Sequence, residues 1–293
     1  MPPWDDIARG ISDAIGAPFA VESADTVGGG CINTAYRIQG NGRACFVKMN
    51  APERLPMFEA EAAGLAEIAR SNTVRVPQPV CSGGNKEASW LVLEYLELRR
   101  ASNRSMRELA SRLALLHKVT NERFGWARDN TIGATRQVNA FHASWIDFWR
   151  ENRLGYQLAL AAKMGHRGRL QQQGERLMEK LPAFFEGYAP VPSLLHGDLW
   201  SGNAGFLTDG APVIYDPAVY YGDREADIAM TELFGGFSAD FYTYYRHEYP
   251  IDAGYARRKE LYNLYHVLNH LNLFGGGYGA QAARIIERLL ADA

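Results

Sequence analysis

The chain has 293 residues, of which 47% are hydrophobic and 22% charged, the balance of a folded globular protein long enough for two lobes around a cleft. A formal net charge of −2 gives no electrostatic case for nucleic acid or an anionic membrane, and no apolar run approaches the ~20 residues of a membrane span. Cys31, Cys45 and Cys81 form neither a metal-ligand spacing nor an even-numbered disulfide set, and no basic-then-apolar leader opens the chain, so a reduced cytoplasmic setting is expected.

Ile7, Ile11, Ala14 and Ile15 recur at helical spacing and predict an opening helix over residues 3–15. Short strands are expected at 21–27, 35–39 and 43–49, separated by glycine-bearing turns. Residues 57–70, through Met57, Glu61, Leu65 and Ile68, read as an amphipathic helix. Thr73 to Pro79 is broken by prolines, and Trp90 to Tyr95 is a short apolar run suited to a buried strand. Beyond Leu96 the pattern turns helical, with helices expected at 104–118, 140–163, 168–186, 224–234, 237–248, 253–274 and 279–291. Leu109, Leu113, Leu116 and His117 share one face of the first of these. Residues 193–216 interrupt the helices as strand, loop and strand. The expectation is an α+β fold with a small β-rich lobe over residues 1–96 and a larger, mainly helical lobe over 97–293, hinged near Leu93 to Leu98. The strand and helix order of the first lobe resembles the nucleotide-holding lobe of a kinase.

The stretch His196-Gly197-Asp198-Leu199-Trp200-Ser201-Gly202-Asn203, followed by an apolar strand and Asp216, carries the chemistry. Phosphoryl transfer from a magnesium nucleotide needs one Asp to orient the attacking hydroxyl and accept its proton, and an Asn and a second Asp to hold the metal. Four residues separate Asp198 from Asn203, the spacing of a kinase catalytic loop. Gly, Asp, Ser and Asn are also ordinary turn residues, so the octapeptide needs the rest of the chain beside it.

Gly28, Gly29 and Gly30 lie between two predicted strands, where glycines let backbone N–H groups approach phosphate oxygens. They form neither a Walker A loop nor the three-glycine spacing of protein kinases. Lys48 follows on the strand Phe46 to Met49, placed to reach the phosphates, with Glu61 on the next helix to fix it and Glu59 as the second candidate. Only one of these two can point at Lys48, because they sit on different helix faces. His196 is expected to brace the loop rather than act as a base. Asp223 is the expected cap of the helix at 224, and Asp227 a brace for the catalytic loop. Trp200 suits stacking on a sugar ring and packing between loops equally well.

With this loop, Val213 to Ala218, and the run Glu225-Ala226-Asp227-Ile228-Ala229-Met230-Thr231-Glu232-Leu233-Phe234-Gly235-Gly236-Phe237 together, the chain resembles the fructosamine kinase (ketosamine-3-kinase) family. That family sits within the aminoglycoside-phosphotransferase-like and protein-kinase-like folds. Gly28 to Asn33, including Cys31, is similar to the family's nucleotide loop, and the resemblance runs from about residue 5 to 290. It implies a two-lobed protein-kinase-like fold and an ATP- and magnesium-dependent kinase acting on the 3-hydroxyl of a sugar joined to an amine as a ketoamine. The product is unstable and releases the amine. By position the resemblance makes Asp198 the base and Asn203 and Asp216 the magnesium ligands. Lys48 with Glu61 would hold the phosphates, and the main chain of Glu94, Tyr95 and Leu96 would meet the adenine. Pro217-Ala218 follows Asp216 in place of Phe-Gly, which argues against control by activation-loop phosphorylation.

Two rivals stand beside this reading. One is a kinase for an aminoglycoside or choline hydroxyl, the other a nucleotide-binding module without turnover; the second is disfavoured because Lys48, Asp198, Asn203 and Asp216 are all present. Expected partners are a small or protein-bound ketoamine and no nucleic acid or membrane. The chain is expected as a monomer or as a redox-linked dimer through Cys31, for which a small residue fitting beside the nucleotide is the favoured reading.

Overall fold

The computed structural model describes residues 2–28 and 32–293. Gly29, Gly30 and Cys31, three of the predicted nucleotide-loop residues, lie outside that description. Helix α1 (Trp4–Ile15) precedes strands β1 (Ser23–Val27), β2 (Thr34–Gly40) and β3 (Arg43–Asn50), then helix α2 (Leu55–Arg70), then β4 (Pro79–Gly84) and β5 (Ser89–Glu94). The five strands form one antiparallel sheet in the order β1-β2-β3-β5-β4.

The two-residue alternation of the strands decides what each face does. On β5, Trp90 and Val92 join Cys45, Val47 and Met49 of β3 in a small core closed by Ile7 and Ile11 of α1. Leu91 and Leu93 face the other way, against Met57, Phe58, Leu65 and Ile68 of α2. The run Trp90 to Leu93 is apolar throughout because helices cover both its faces. By the same alternation Phe46 and Lys48 leave β3 on the α2 side.

Two departures from the predicted elements have local causes. Strand β4 does not stand out in the sequence, because PVCSGG is turn-like; it is an edge strand with proline in first position, where no ladder hydrogen bond is lost. The hairpin of β6 (Asn130–Ile132) and β7 (Thr135–Gln137) is likewise unpredicted, being too short to show a period.

In the larger lobe, α3 (Asn103–His117) starts at a capping box between Ser102 and Ser105. The helix predicted over 140–163 starts later, at α4 (Trp145–Phe148), where Ser144 accepts the N–H of Asp147. It runs through a π-helical turn (Trp149–Gly155) into α5 (Tyr156–Lys163). The helix predicted over 168–186 is α6 (Arg169–Lys180), which tightens to a 3-10 turn at Leu181–Phe185, where Pro182 cannot donate. Strands β8 (Ser193–Leu195), β9 (Ala204–Phe206), β10 (Pro212–Ile214) and β11 (Tyr220–Gly222) pair as β8 with β11 and β9 with β10. Helices α7 (Glu225–Leu233), α8 (Ala239–Glu248), α9 (Tyr255–Phe274) and α10 (Tyr278–Asp292) complete the chain. Among the described residues no helix is long and apolar enough to cross a membrane.

Candidate active site

Lys48 is 5% exposed and reaches two carboxylates from the underside of the sheet. Its Nζ donates to Glu61 Oε1 at 2.7 Å and also contacts Asp216 Oδ1. Burial alone would push the ammonium down, but Asp216 and Glu61 outweigh it and hold Lys48 above its ordinary range, so it stays charged. Glu59 points outward, 3.9 Å from Arg128, which leaves Glu61 as the helix partner. Asp216 has φ +58°, a left-handed conformation that Asp tolerates better than most residues and that turns the chain straight after β10.

The segment from His196 to Asn203 joins β8 to β9. Gly197 has φ +83°, and a Cβ there would lie 2.0 Å from the carbonyl oxygen of Ala218, so the close crossing of the two segments requires glycine. His196 Nδ1 accepts the N–H of Asp198 at 3.2 Å, and its Nε2 donates to the carbonyl of Tyr215 at 2.9 Å. Burial holds the imidazole below its ordinary value, in the neutral form those two bonds need. His196 therefore ties the Asp198 loop to the segment carrying Asp216. Asn203 Nδ2 donates to the main-chain oxygen of Asp198 at 2.9 Å and lies 3.5 Å from its carboxylate. Enclosure at the cleft floor, and then the carboxylates of Asp216 and Asp227, push Asp198 up to about 7.

Beneath the loop, Asp227 on α7 accepts the N–H groups of His196 at 2.7 Å and Gly197 at 2.8 Å. Its carboxylate also meets His117 Nε2 at 3.1 Å, while His117 Nδ1 accepts the Tyr245 hydroxyl at 2.7 Å. Burial works against the Asp227 anion, but His117 and the loop N–H groups outweigh it and hold the carboxyl below its usual value. Asp223 receives the N–H of Glu225 at 3.0 Å and the hydroxyls of Tyr188 and Tyr262.

A cleft of about 700 Å³ lies between the sheet and the loop. Gly28, Lys48, Glu61, Glu94, Tyr95, Leu96, Asp198, Trp200, Asn203 and Asp216 all line it. At the end of β5, the Glu94 N–H is already given to the carbonyl of Gln78 at 2.8 Å, and the Glu94 side chain pairs with Arg75. Trp200 is 38% exposed; its ring covers Gly202 and meets Phe234 edge-on at 6.3 Å. Asn130, Thr131 and Gly133 of the β6–β7 hairpin close one side of the cleft. Sequence reasoning missed this hairpin and the His117–Tyr245 support. The histidine at the end of an amphipathic helix is a visible signal, but its partners lie 110 and 128 positions away.

Asn203 and Asp216 offer an amide and a carboxylate oxygen on neighbouring segments. An oxygen-only donor pair fits magnesium, which takes one or two protein ligands and completes its shell with phosphates and water. Among the described residues no group of three or more His, Cys, Asp or Glu side chains gathers as a protein-only metal cage.

The fructosamine kinase family model matches residues 3–292. A probable ketoamine kinase of Synechocystis is 48% identical over 289 residues, covering 98% of this chain and 97% of the relative. The chloroplastic protein-ribulosamine 3-kinase of Arabidopsis thaliana is 42% identical over 278 residues, 94% of this chain and 85% of the relative. A crystal structure from Haemophilus somnus, assigned to fructosamine-3-kinase, superposes with TM-score 0.91 at 30% identity, covering 98% of this chain and 97% of the other. An aminoglycoside phosphotransferase shares the fold alone, at TM-score 0.67 and 14% identity over 98% of this chain and 99% of its own.

Proposed function

The chain belongs to the fructosamine kinase family, and on that premise we propose that it transfers the γ-phosphoryl group of ATP to the 3-hydroxyl of a ketosamine, such as a ribulosamine or fructosamine. The observation that carries this reading is the convergence of Lys48, Asp198, Asn203 and Asp216 on one cleft in a chain related to ketoamine kinases over its whole length. Residues 1–96 would hold the nucleotide and residues 97–293 the acceptor. Gly28 and its neighbours would cover the phosphates. The carbonyl of Glu94 and the N–H of Leu96 would meet the adenine, since the Glu94 N–H is taken.

In the proposed reaction Asp198 receives the proton of the 3-hydroxyl as that oxygen attacks the γ-phosphorus, and the bond from γ-phosphorus to the bridging oxygen of ADP breaks. A carboxylate within hydrogen-bond reach of a hydroxyl can accept its proton as a general base. Lys48, fixed by Glu61, neutralises charge on the phosphates. Asn203 and Asp216 would hold magnesium, which when bound offsets charge on the transferring phosphoryl group. Relatives named for ketoamines and ribulosamines favour this acceptor over an aminoglycoside or choline.

The test is ADP release by the protein with magnesium and ATP across ribulosyl-lysine, fructosyl-lysine, erythrulosyl-lysine, kanamycin and choline. Turnover on ketoamines alone is expected. Turnover confined to kanamycin or choline contradicts the acceptor assignment.

A further inference from the structure

Three large apolar side chains that remain exposed stand in one row. Trp200 is 38%, Phe234 48% and Phe274 56% exposed. The Trp200 and Phe234 centroids are 6.3 Å apart, Phe234 lies 5.3 Å from the His270 ring, and His270 lies 5.6 Å from Phe274. Tyr278 flanks His270 at 5.1 Å. Single exposed apolar residues are ordinary, whereas a contiguous aromatic row leading out of a cleft marks a binding surface. His270 Nδ1 is buried without a hydrogen-bond partner among the described residues, and burial holds the ring below its ordinary value, so it joins the row as a neutral surface.

The position of the row limits what can lie on it. Trp200 lines the same cleft as Asp198, so the row begins in that cleft and ends at Phe274, the last residue of α9. In a ketoamine the nitrogen is carried on carbon 1 and the reacting hydroxyl on carbon 3. With that hydroxyl at Asp198, the amine substituent must leave the cleft close by, and Trp200 is the rim two residues away. The secondary ammonium of a ketoamine is attracted to aromatic faces, and the row contains no cation to repel it.

We propose that Trp200, Phe234, His270 and Phe274 form a docking shelf for the amine-bearing half of the substrate, and that the shelf selects amines carrying an apolar or aromatic chain. This rests on the ketoamine reading above and adds the other half of the substrate to it.

The test compares ribulosyl-4-phenylbutylamine with ribulosyl-methylamine in steady-state kinetics at saturating magnesium ATP. The wild type should prefer the phenylbutyl substrate by about tenfold or more in kcat/KM, an affinity difference that one well-packed ring can supply. Phe274→Ser should shrink that ratio to within about twofold, mainly through KM, and Phe274→Tyr should retain it. Phe234→Leu gives the same comparison should Phe274→Ser melt early. Equal kcat/KM for the two substrates in the wild type, or a preference that survives Phe274→Ser, overturns the shelf and leaves the kinase reading standing. No turnover on either ketoamine, with activity on kanamycin or choline, overturns the ketoamine reading and the shelf with it.

Discussion

Asp227 and His117 meet at 3.1 Å beneath the loop of residues 196–203, on helices far apart in sequence and with both side chains buried. Asp227 uses its remaining acceptor capacity on the N–H groups of His196 and Gly197, the two residues before Asp198. The chain Tyr245, His117, Asp227, loop backbone thus fixes where Asp198 stands without touching the cleft.

Asp227→Asn tests this support. An amide keeps the shape but replaces one acceptor with a donor, leaving a loop N–H or the His117 ring unpaired in a buried site. The expected cost is about 2–4 kcal/mol of stability. A displaced base should also lower kcat by about 100-fold while the KM for ATP stays within about threefold. Thermal melts and kinetics with ATP varied read both. Unchanged kcat in a variant of unchanged stability contradicts the positioning role.

Lys48 has two carboxylate partners, and their loss is expected to differ in kind. Glu61→Gln leaves Asp216 in contact with Lys48, so the ammonium loses its anchor but not its charge. The KM for ATP should rise about tenfold with kcat little changed. Lys48→Met removes the cation itself and should cost on the order of 10²–10³ in kcat. Identical kinetic profiles for the two variants contradict this division.

The buried histidines make stability depend on acid pH. An unfolded histidine protonates near pH 6.5, whereas burial holds His266 down to about 3 and keeps His117 and His196 below their ordinary values. The charged groups around His266 are Asp227, which opposes the shift, and Arg153, which adds to it; neighbouring His270 also lowers it. Below about pH 6.5 the unfolded chain binds protons that the fold refuses. The His266 contribution is therefore full above that pH and falls toward pH 3 by about 1.4 kcal/mol per pH unit, and His117 and His196 act in the same direction. The raised carboxyls Asp198 and Glu225 pull the other way over the same window, so the histidine contribution is read from a difference: the melting temperature of His266→Gln relative to wild type should rise as pH falls from 6.5 to 4.5. A difference between the two proteins that stays constant over that window contradicts the assignment.

Features set by local sequence are legible from the residues alone. Strand alternation and the following helix put Lys48 opposite Glu61, and the four-residue spacing puts Asn203 against Asp198. Helices with clear periods, such as α1 and α9, lie within a few residues of their predicted bounds. Features set by distant partners are not legible in this way. His117 reads as one more member of the apolar face of α3, because nothing near it in sequence names Asp227 or Tyr245. The β6–β7 hairpin is held by Asn130 and Gln137 to the carbonyls of Val219 and Ala218, contacts no short window reveals. The helix predicted from residue 140 begins at Trp145 because the Ser144 cap, rather than hydrophobic period, sets its start.

The most direct measurement compares wild type with Asp198→Asn, following phosphate transfer to ribulosyl-lysine alongside ATP affinity. On the proposed reading the Asp198 carboxylate would meet the acceptor hydroxyl, and its hydrogen-bond contact is Asn203 of its own loop rather than the five-stranded sheet. Transfer to carbon 3 should fall by about 10³-fold or more while the Kd for ATP stays within about threefold. Wild-type-like transfer in Asp198→Asn would contradict the assignment of Asp198 as the base.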